Sequence, residues 1–235
     1  TGSTYQFQTY NSISDVNVPK SSNGTYIPPM QGFWIRALSS LNTLPLEDRK
    51  LDFNNDMRRH NDSTEIIRLR APKATAAERQ LIRLQVSNAG LTDELVLYSD
   101  ANASNAYDKY DAPKMMNTSN SSPAINLYTT VGSENLVIDG RNSLPLDVVI
   151  PVTFTTNAYA SGSYSISANE LTNLPSGVTV RVIDNGVETS LNDGGTYTFT
   201  ADAGTTKTFG LILRSPGAVT GVENGKAENF SVYAN

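Results

Sequence analysis

Alternation of apolar and polar residues is the dominant pattern along this chain, and it predicts β-strands. In segment 80–87, QLIRLQVS, the residues Ile82, Leu84 and Val86 fall on one face of an extended backbone, while Arg83 and Gln85 fall on the other. That arrangement is typical of a half-buried antiparallel strand. Since strands of this kind pack with one face against a core, the pattern indicates a sheet protein.

The same period, or a dense content of β-branched and aromatic residues, predicts a series of further strands. Turn signals (NAG, NLPSG, DNG, NDGG and DAGT) separate several of them. By contrast, residues 100–123 are polar without a clear period, which predicts a long loop. The further predicted strands are 4–10, 32–37, 50–53, 65–70, 94–99, 125–130 and 135–140, then 147–156, 162–168, 178–184, 195–201 and 207–214.

Short strands at this spacing predict an all-β fold built as an antiparallel β-sandwich. We expect two units, joined by the hinge-like sequence RNSLPL. Residues 1–143 are predicted to form a jelly-roll-like β-sandwich, and residues 144–214 a smaller Ig-like β-sandwich. Residues 215–235 begin as a linker rich in Gly, Ala, Pro and Glu, and end in the strand-like FSVYAN.

Composition narrows the class of protein. Hydrophobic residues make up 38% and charged residues 17%, below the usual globular values of roughly 45–50% and about 25%; Ser, Thr and Asn fill the difference, as in many extracellular β proteins. The net charge of −5 disfavours nucleic-acid binding, which needs a basic surface. The chain has no cysteine for a disulfide or thiolate metal site, and no apolar run of membrane-spanning length.

One loop concentrates oxygen-bearing side chains. In SDANASNAYDKYDAPK the candidate ligands are Asp100, Asn102, Asn105, Asp108 and Asp111. Calcium takes six to eight hard oxygen ligands, so the loop is a candidate calcium site, although its spacing is not that of an EF-hand. The alternative is that the Asp and Asn side chains cap their own backbone in Asx turns.

Aromatic residues suggest carbohydrate binding, because flat rings stack on the apolar faces of sugars. The candidates are Trp34, which is the chain's single tryptophan, and Tyr98, Tyr107 and Tyr110, which flank the acidic loop. The alternative is that these rings are buried in the core, which is the common fate of a lone tryptophan.

The sequence does not predict an enzyme. His60 is the single histidine, and the GxSxG and HExxH motifs are absent. A glycosidase needs two carboxylates that converge in a cleft. Candidates on predicted strands are Asp52, Glu65, Glu94 and Asp139, but exposed carboxylates on a sandwich are usually plain solvated charges.

Several segments together resemble a known module. They are YIPPMQGFWIRA, LDFNNDMRRH, LIRLQVSNAGLTDELVLYSDANASNAYDKYDAPKM, the ordered series INLYTT, NLVIDG and LPLDVVIPV, and GTYTFTADAGTTKTFGLIL. This order is similar to that of a β-sandwich module in large secreted and cell-surface proteins of Gram-negative, Bacteroides-type bacteria. In those proteins the module precedes the C-terminal type IX secretion sorting domain, and FSVYAN resembles the first strand of such a domain.

The resemblance implies export to the cell surface and a non-catalytic role, with the secretion machinery as a partner through a sorting domain. The family's Trp/Asn/Pro-rich opening strand has no counterpart here, so the first sandwich is expected to lack its first strand or to receive it from elsewhere. Our leading hypothesis is a structural or adhesion-type module of a larger exported protein. The alternatives are a calcium-stabilised carbohydrate-binding module, with a glycan or surface partner, and a glycoside hydrolase fragment.

Overall fold

The structure, a computed structural model, describes residues 7–11, 13–20, 79–88 and 90–217. Within these ranges it contains thirteen β-strands, a single 3-10 turn at Asn192–Gly194 and no α-helix. All strand pairs are antiparallel except that of β4 with β7 and an isolated bridge between Leu146 and Leu213. The predicted fold class, an all-β and mainly antiparallel sandwich, is confirmed.

The strand bounds follow the alternation of the sequence closely. The strands are β1 Thr9–Asn11, β2 Val16–Val18, β3 Leu81–Asn88, β4 Leu91–Ser99, β5 Ala112–Pro113, β6 Ile125–Val131, β7 Glu134–Arg141, β8 Ile150–Thr156, β9 Gly162–Thr172, β10 Thr179–Asp184, β11 Val187–Ser190, β12 Thr196–Ala201 and β13 Thr206–Arg214. Each predicted strand in residues 79–214 has a counterpart in this series.

Strands β3 to β13 form one hydrogen-bonded path that folds into two layers. The order is β11-β10-β13-β8-β6-β7-β4-β3-β9-β12, with β5 added on β7. Strand β6 turns the corner between the layers, because residues 125–128 pair with β8 and residues 129–131 pair with β7. We call β12, β9, β3, β4, β7 and β5 the first sheet, and β11, β10, β13 and β8 the second sheet.

The two sheets face each other across one apolar core. Alternate residues of β3, β4, β9 and β12 meet alternate residues of β8, β10 and β13. An aromatic cluster marks the contact: the Phe154 ring of the second sheet lies 4.9 Å from Tyr164 and 5.1 Å from Phe199 of the first, between ring centroids. Such pairs add about 0.5–1.5 kcal/mol beyond the area that they bury.

A third layer covers part of the first sheet. The hairpin of β1 and β2 packs on the outer face of β4 and β7, where Val16 and Val18 join a second apolar cluster with Val96, Tyr98 and Ile138. Because β4 is covered on both faces, its residues 93–98 are all buried instead of alternating between buried and exposed.

The predicted division of the chain at residues 143 and 144 needs correction. Strand β9 pairs with β3, and β8 pairs with β6, so strands from the two sides of that boundary are hydrogen-bonded neighbours. They also share one apolar core. The described residues therefore pack as one sandwich rather than as two successive ones, and RNSLPL is a connection within it.

Local differences from the predicted strands have clear causes. Strand β8 begins three residues later than predicted, because Asp147 adopts a left-handed backbone (φ 57°) and Val148 and Val149 are exposed. The DNG turn was predicted, but its short return strand β11 was not. Asn185 and Gly186 both have positive φ there, as a two-residue hairpin turn requires.

Other predictions lie outside the described residues. These are the strands 32–37, 50–53 and 65–70, the residues Trp34 and His60, and the FSVYAN segment.

Candidate functional site

The acidic loop runs from the end of β4 to β5, and its carboxylates are engaged within the protein. Asp100 accepts hydrogen bonds from the Asn102 backbone N–H (3.0 Å) and from the Arg79 guanidinium (2.8 Å). Burial raises the pKa of Asp100, but these hydrogen bonds outweigh it and leave the pKa below its usual value.

Asp108 and Asp111 also close turns of this loop. Asp108 accepts hydrogen bonds from the backbone N–H groups of Ser104 (2.8 Å) and Tyr110 (2.7 Å). Asp111 accepts from the N–H of Asp108 and, across to β7, from the N–H of Gly140, both at 2.8 Å. This is the Asx-turn chemistry that was the alternative to a metal site.

Burial raises the pKa of Asp111 to about 6. The two N–H groups oppose this shift, whereas the nearby carboxylates of Asp139 and Asp108 add to it. Asp111 is therefore the acid of this loop whose charge the fold disfavours.

The five predicted calcium ligands lie in one loop but do not converge. Asn102 donates its side-chain amide to Asp100 (3.3 Å), and Asn105 is exposed. Within the described parts of the chain, no three Asp, Glu or His side chains are grouped so that they could hold a metal ion. The carboxylates of Asp100, Asp108 and Asp111 already accept hydrogen bonds from the loop and from Arg79 and Gly140.

The tyrosines predicted as a sugar platform have different positions. Tyr98 is fully buried, donates its hydroxyl to the Tyr110 carbonyl (2.7 Å) and lies under the Arg79 guanidinium, 5.0 Å from the ring centroid. Tyr110 is buried as well, and Tyr107 is half-buried. The prediction is therefore wrong for Tyr98 and Tyr110, because the β1–β2 hairpin covers this face of β4 and makes both rings part of a core.

A buried ion-pair network, which the alternation of the sequence did not indicate, lies under the same hairpin. Arg83 was placed on a polar outer face but is only 3% exposed. Its guanidinium contacts Glu94 (3.0 Å) and Glu170 (3.1 Å) and donates to the Asn17 carbonyl (2.8 Å). Lys20 closes the network, since its backbone N–H donates to Glu94 and its ammonium group pairs with Glu170, both at 3.0 Å. These charges fasten the hairpin to the first sheet.

A second buried pair joins β4 to the segment after β5. The Asp93 side chain is 1% exposed; it accepts both contacts of the Lys114 ammonium group at 2.6 Å and the backbone N–H of Leu127 at 2.6 Å. Of the predicted glycosidase candidates, Glu94 binds Arg83, and Asp139 binds Arg141 at 2.8 Å. The other two, Asp52 and Glu65, lie outside the described residues.

An open groove lies at the opposite end of β4, where the β3–β4 hairpin meets β9 and β12. Its volume is about 360 Å³. Its polar lining residues are Ser87, Asn88, Thr92, Ser163, Ser165 and Thr198, and none of its lining residues is charged. The sequence does carry a signal for this surface, because GSYSISA and GTYTFTA place Ser or Thr at every second position of β9 and β12.

Tyr164 is also among the residues that line this groove, and its ring points into the sandwich core. Its hydroxyl is buried beside the Asn88 side chain. Burial raises the pKa of this hydroxyl, and the adjacent Asn88 side chain opposes that shift in part.

No helix in the described ranges is long and apolar enough to cross a membrane.

Comparison with known proteins places the chain in a family without naming an activity. No significant match was found among curated proteins or among solved structures. A family model described as a domain of unknown function (DUF8693) matches residues 1–211, which is most of the chain. The match extends across the former boundary at residues 143 and 144, in keeping with the single sandwich. The chain is a member of the DUF8693 family of domains.

Proposed function

We propose that this chain is a non-catalytic structural or adhesion-type module of a larger exported protein on the bacterial cell surface. The observation that supports this proposal is that several charged side chains of the described residues are engaged in structural contacts. Arg83 with Glu94, and Lys114 with Asp93, fasten outer segments to the sandwich, and Asp108 and Asp111 close turns. Side chains that could perform chemistry are thus used to hold layers together.

The ordered motifs of the resemblance supply the rest of the proposal, namely the surface location and a position before a type IX sorting domain. The reading frame on both sides of this segment tests that placement. A complete sorting domain encoded downstream supports it, and a cytoplasmic enzyme domain encoded there contradicts it.

The non-catalytic role is tested with the purified chain. We expect no turnover of chromogenic glycoside and ester substrates, and we expect beads coated with the chain to adhere to bacterial or host surfaces better than beads coated with albumin. Sustained hydrolysis that copurifies with the chain would overturn the proposal.

A second candidate function is glycan binding, and the uncharged, hydroxyl-lined groove favours it. A glycan array tests this candidate, with Trp34→Ala and Tyr107→Ala as variants at the aromatic positions. Binding that is unaffected by these variants would leave the groove as the candidate surface. Absence of binding to any glycan would exclude the function.

Calcium is the candidate cofactor that the sequence suggested for that second function, and chelation tests it directly. Because the carboxylates of Asp100, Asp108 and Asp111 already accept hydrogen bonds from the loop, we expect an excess of EDTA to leave the melting temperature unchanged. A ligand that binds only the folded state stabilises it by mass action. A fall in melting temperature that added calcium reverses would therefore favour the calcium-stabilised form.

A further inference from the structure

Lys114 and Asp93 form a buried pair in which the amine lies against the middle of the carboxyl group. Their side chains are 5% and 1% exposed. The Lys114 Nζ atom is 2.6 Å from each of the two carboxylate oxygens, whereas a charge-assisted N–H···O bond usually measures about 2.7–2.9 Å. An atom at this distance from both oxygens is no more than about 3 Å from the carbon between them, which is close enough for reaction.

The other lysine–carboxylate pairs of the described residues have a different geometry. The closest contact between Lys20 and Glu170 is 3.0 Å, and the Lys20 side chain is 59% exposed. The closest contact of the Lys207 ammonium group with a carboxylate is 2.8 Å, and its side chain is 28% exposed. Of these three lysines, Lys114 alone combines close approach to both oxygens with burial.

The surroundings of Asp93 suit addition of an amine to its carboxyl carbon. The Leu127 backbone N–H donates to Asp93 Oδ2 at 2.6 Å, and a fixed donor of this kind stabilises the negative charge that develops on the oxygen during addition. The Asn117 amide donates to the other oxygen, Oδ1, at 3.4 Å. Asp93 lies opposite the core residue Val86, so bulk water is excluded from the site.

We propose that Lys114 and Asp93 are joined in the folded protein by an amide bond between Nζ and Cγ. A proton passes from the ammonium group to Asp93 Oδ1, which gives a neutral amine and a carboxylic acid. The nitrogen lone pair then forms the bond to Cγ, the Cγ–Oδ1 bond breaks, and Oδ1 leaves as water with two of the three ammonium protons. The step is a condensation and consumes no oxidant, reductant or further reactant.

Burial and position both favour the amide. An ion pair at this depth carries a desolvation cost for two charges, and the amide that replaces it is neutral. Because the fold holds the two groups together, their condensation has the effective concentration of an intramolecular reaction, which far exceeds that of free solutes. Asp93 Oδ2 becomes the carbonyl oxygen of the amide and keeps the Leu127 N–H as its donor.

The cross-link closes a covalent ring over residues 93–114, which contains the acidic loop and β5. It constrains the unfolded chain as a disulfide does, in a chain that has no cysteine. The inference goes beyond the proposed function, and its test does not depend on adhesion or on a ligand.

Mass spectrometry of the intact, denatured full chain tests the bond. We expect a mass one water below that of the sequence. Trypsin then locates the bond, because it cleaves after unmodified lysine: residues 84–109 are recovered joined to residues 110–141, and the free peptide 110–114 is absent. Cleavage after Lys207, which pairs with Asp184 at a longer distance, serves as the internal control.

The variant Lys114→Arg keeps a cation at this position but removes the nucleophile, since a guanidinium group stays protonated. We expect this variant to have the full mass of its sequence. The matched control, Lys207→Arg, should retain the loss of water. The measurement on the wild-type chain is decisive even if Lys114→Arg does not fold.

Three results would overturn the proposal. The first is a wild-type chain of full mass that releases the peptide 110–114. The second is loss of ammonia with a link from Lys114 to Asn117, which would exclude Asp93 as the partner. The third is loss of water that persists in Lys114→Arg, which would assign it to another position in the chain.

Discussion

At the scale of single residues, two predicted site residues make contacts that differ from those the sequence led us to expect. Asp111 was expected to face an ion in a polar loop, but it faces the backbone N–H of Gly140 in a buried position. Tyr98 was expected at a surface, but its hydroxyl contacts the Tyr110 carbonyl. In both cases the sequence correctly indicated a polar or aromatic side chain. The β1–β2 hairpin then covers this part of the sheet, so that the side chain is buried instead of available to a ligand.

Asp111 gives a prediction of pH dependence. Its pKa of about 6 in the folded protein exceeds the usual value of 3.8, so the folded state holds the proton more tightly than the unfolded chain does. This group's contribution to stability is complete below about pH 4 and is lost as the pH rises through about 6. In urea denaturation, we expect the stability of the wild type relative to Asp111→Asn to fall by up to about 3 kcal/mol over that range. Parallel pH profiles for the two proteins would contradict this.

Gly140 gives a prediction of packing. A Cβ atom at this position would lie 2.7 Å from the Tyr98 hydroxyl and 2.8 Å from the Tyr110 carbonyl oxygen. We expect Gly140→Ala to lower the free energy of unfolding by about 1–3 kcal/mol, as overpacking does. The matched control is Gly210→Ala, where the nearest atom belongs to the exposed side chain of Val149, which can rotate away, and the Ile183 Cβ lies 3.2 Å from the added Cβ, so we expect a smaller loss there. Equal losses in the two variants would show that contact with Tyr98 and Tyr110 is not the cause.

At the scale of elements, the outer β1–β2 hairpin is held by charge as well as by apolar contact. Val16 and Val18 pack on the first sheet, and the network of Arg83, Glu94 and Glu170 lies beside them. Buried ion pairs contribute little net stability compared with apolar packing, but the loss of one partner is severe, because it leaves the other charge buried and unpaired. The hairpin and the network therefore depend on each other.

This dependence predicts different losses of stability for substitutions at the buried Arg83 and at the exposed Lys20. We expect Arg83→Met to lower the free energy of unfolding by about 3–5 kcal/mol, because Glu94 stays buried without the Arg83 guanidinium. Lys20→Met removes a cation whose side chain is 59% exposed. We expect it to lower the free energy of unfolding by less than about 1 kcal/mol.

Adding Glu94→Gln to Arg83→Met removes the unpaired buried charge. We therefore expect the double variant to regain part of the lost free energy of unfolding, as measured by chemical denaturation. A double variant that is no more stable than Arg83→Met would contradict the account.

At the scale of the whole molecule, the sandwich is closed by pairings between distant parts of the chain. Strand β9 crosses from the second half of the sequence to pair with β3 over most of its length. Strand β6 links the two sheets by pairing with β7 at one end and with β8 at the other. The core residues of both halves are thus buried only when both are present.

We therefore expect residues 144–214, expressed alone, to stay unfolded. The fragment would keep β8, β9, β10, β11, β12 and β13 but lose the partners of β9 and β8 on β3 and β6. Far-UV circular dichroism and dispersion of the amide NMR spectrum test this, with the full chain as the control. A cooperative melting transition of the fragment would restore the division into two units.

The sequence by itself determined the strands of residues 79–214 except the short β5 and β11. Alternation places Ile82, Leu84 and Val86 on the core face whatever they pack against, since the period of a strand is two residues. Turn residues such as Asn185 and Gly186 are equally local, because positive φ favours these residue types. The all-β class followed from these local rules.

The tertiary structure decided which surfaces are covered, and this decided the candidate sites. Alternation separates two faces of a strand but does not say whether a third layer covers the outer one. The hairpin covers that face at Arg83 and Tyr98 and leaves it open at Ser165 and Thr198. Pairing between strands far apart in sequence is a property of the assembled core. The single sandwich and the hydroxyl-lined groove therefore became visible only when the chain was folded.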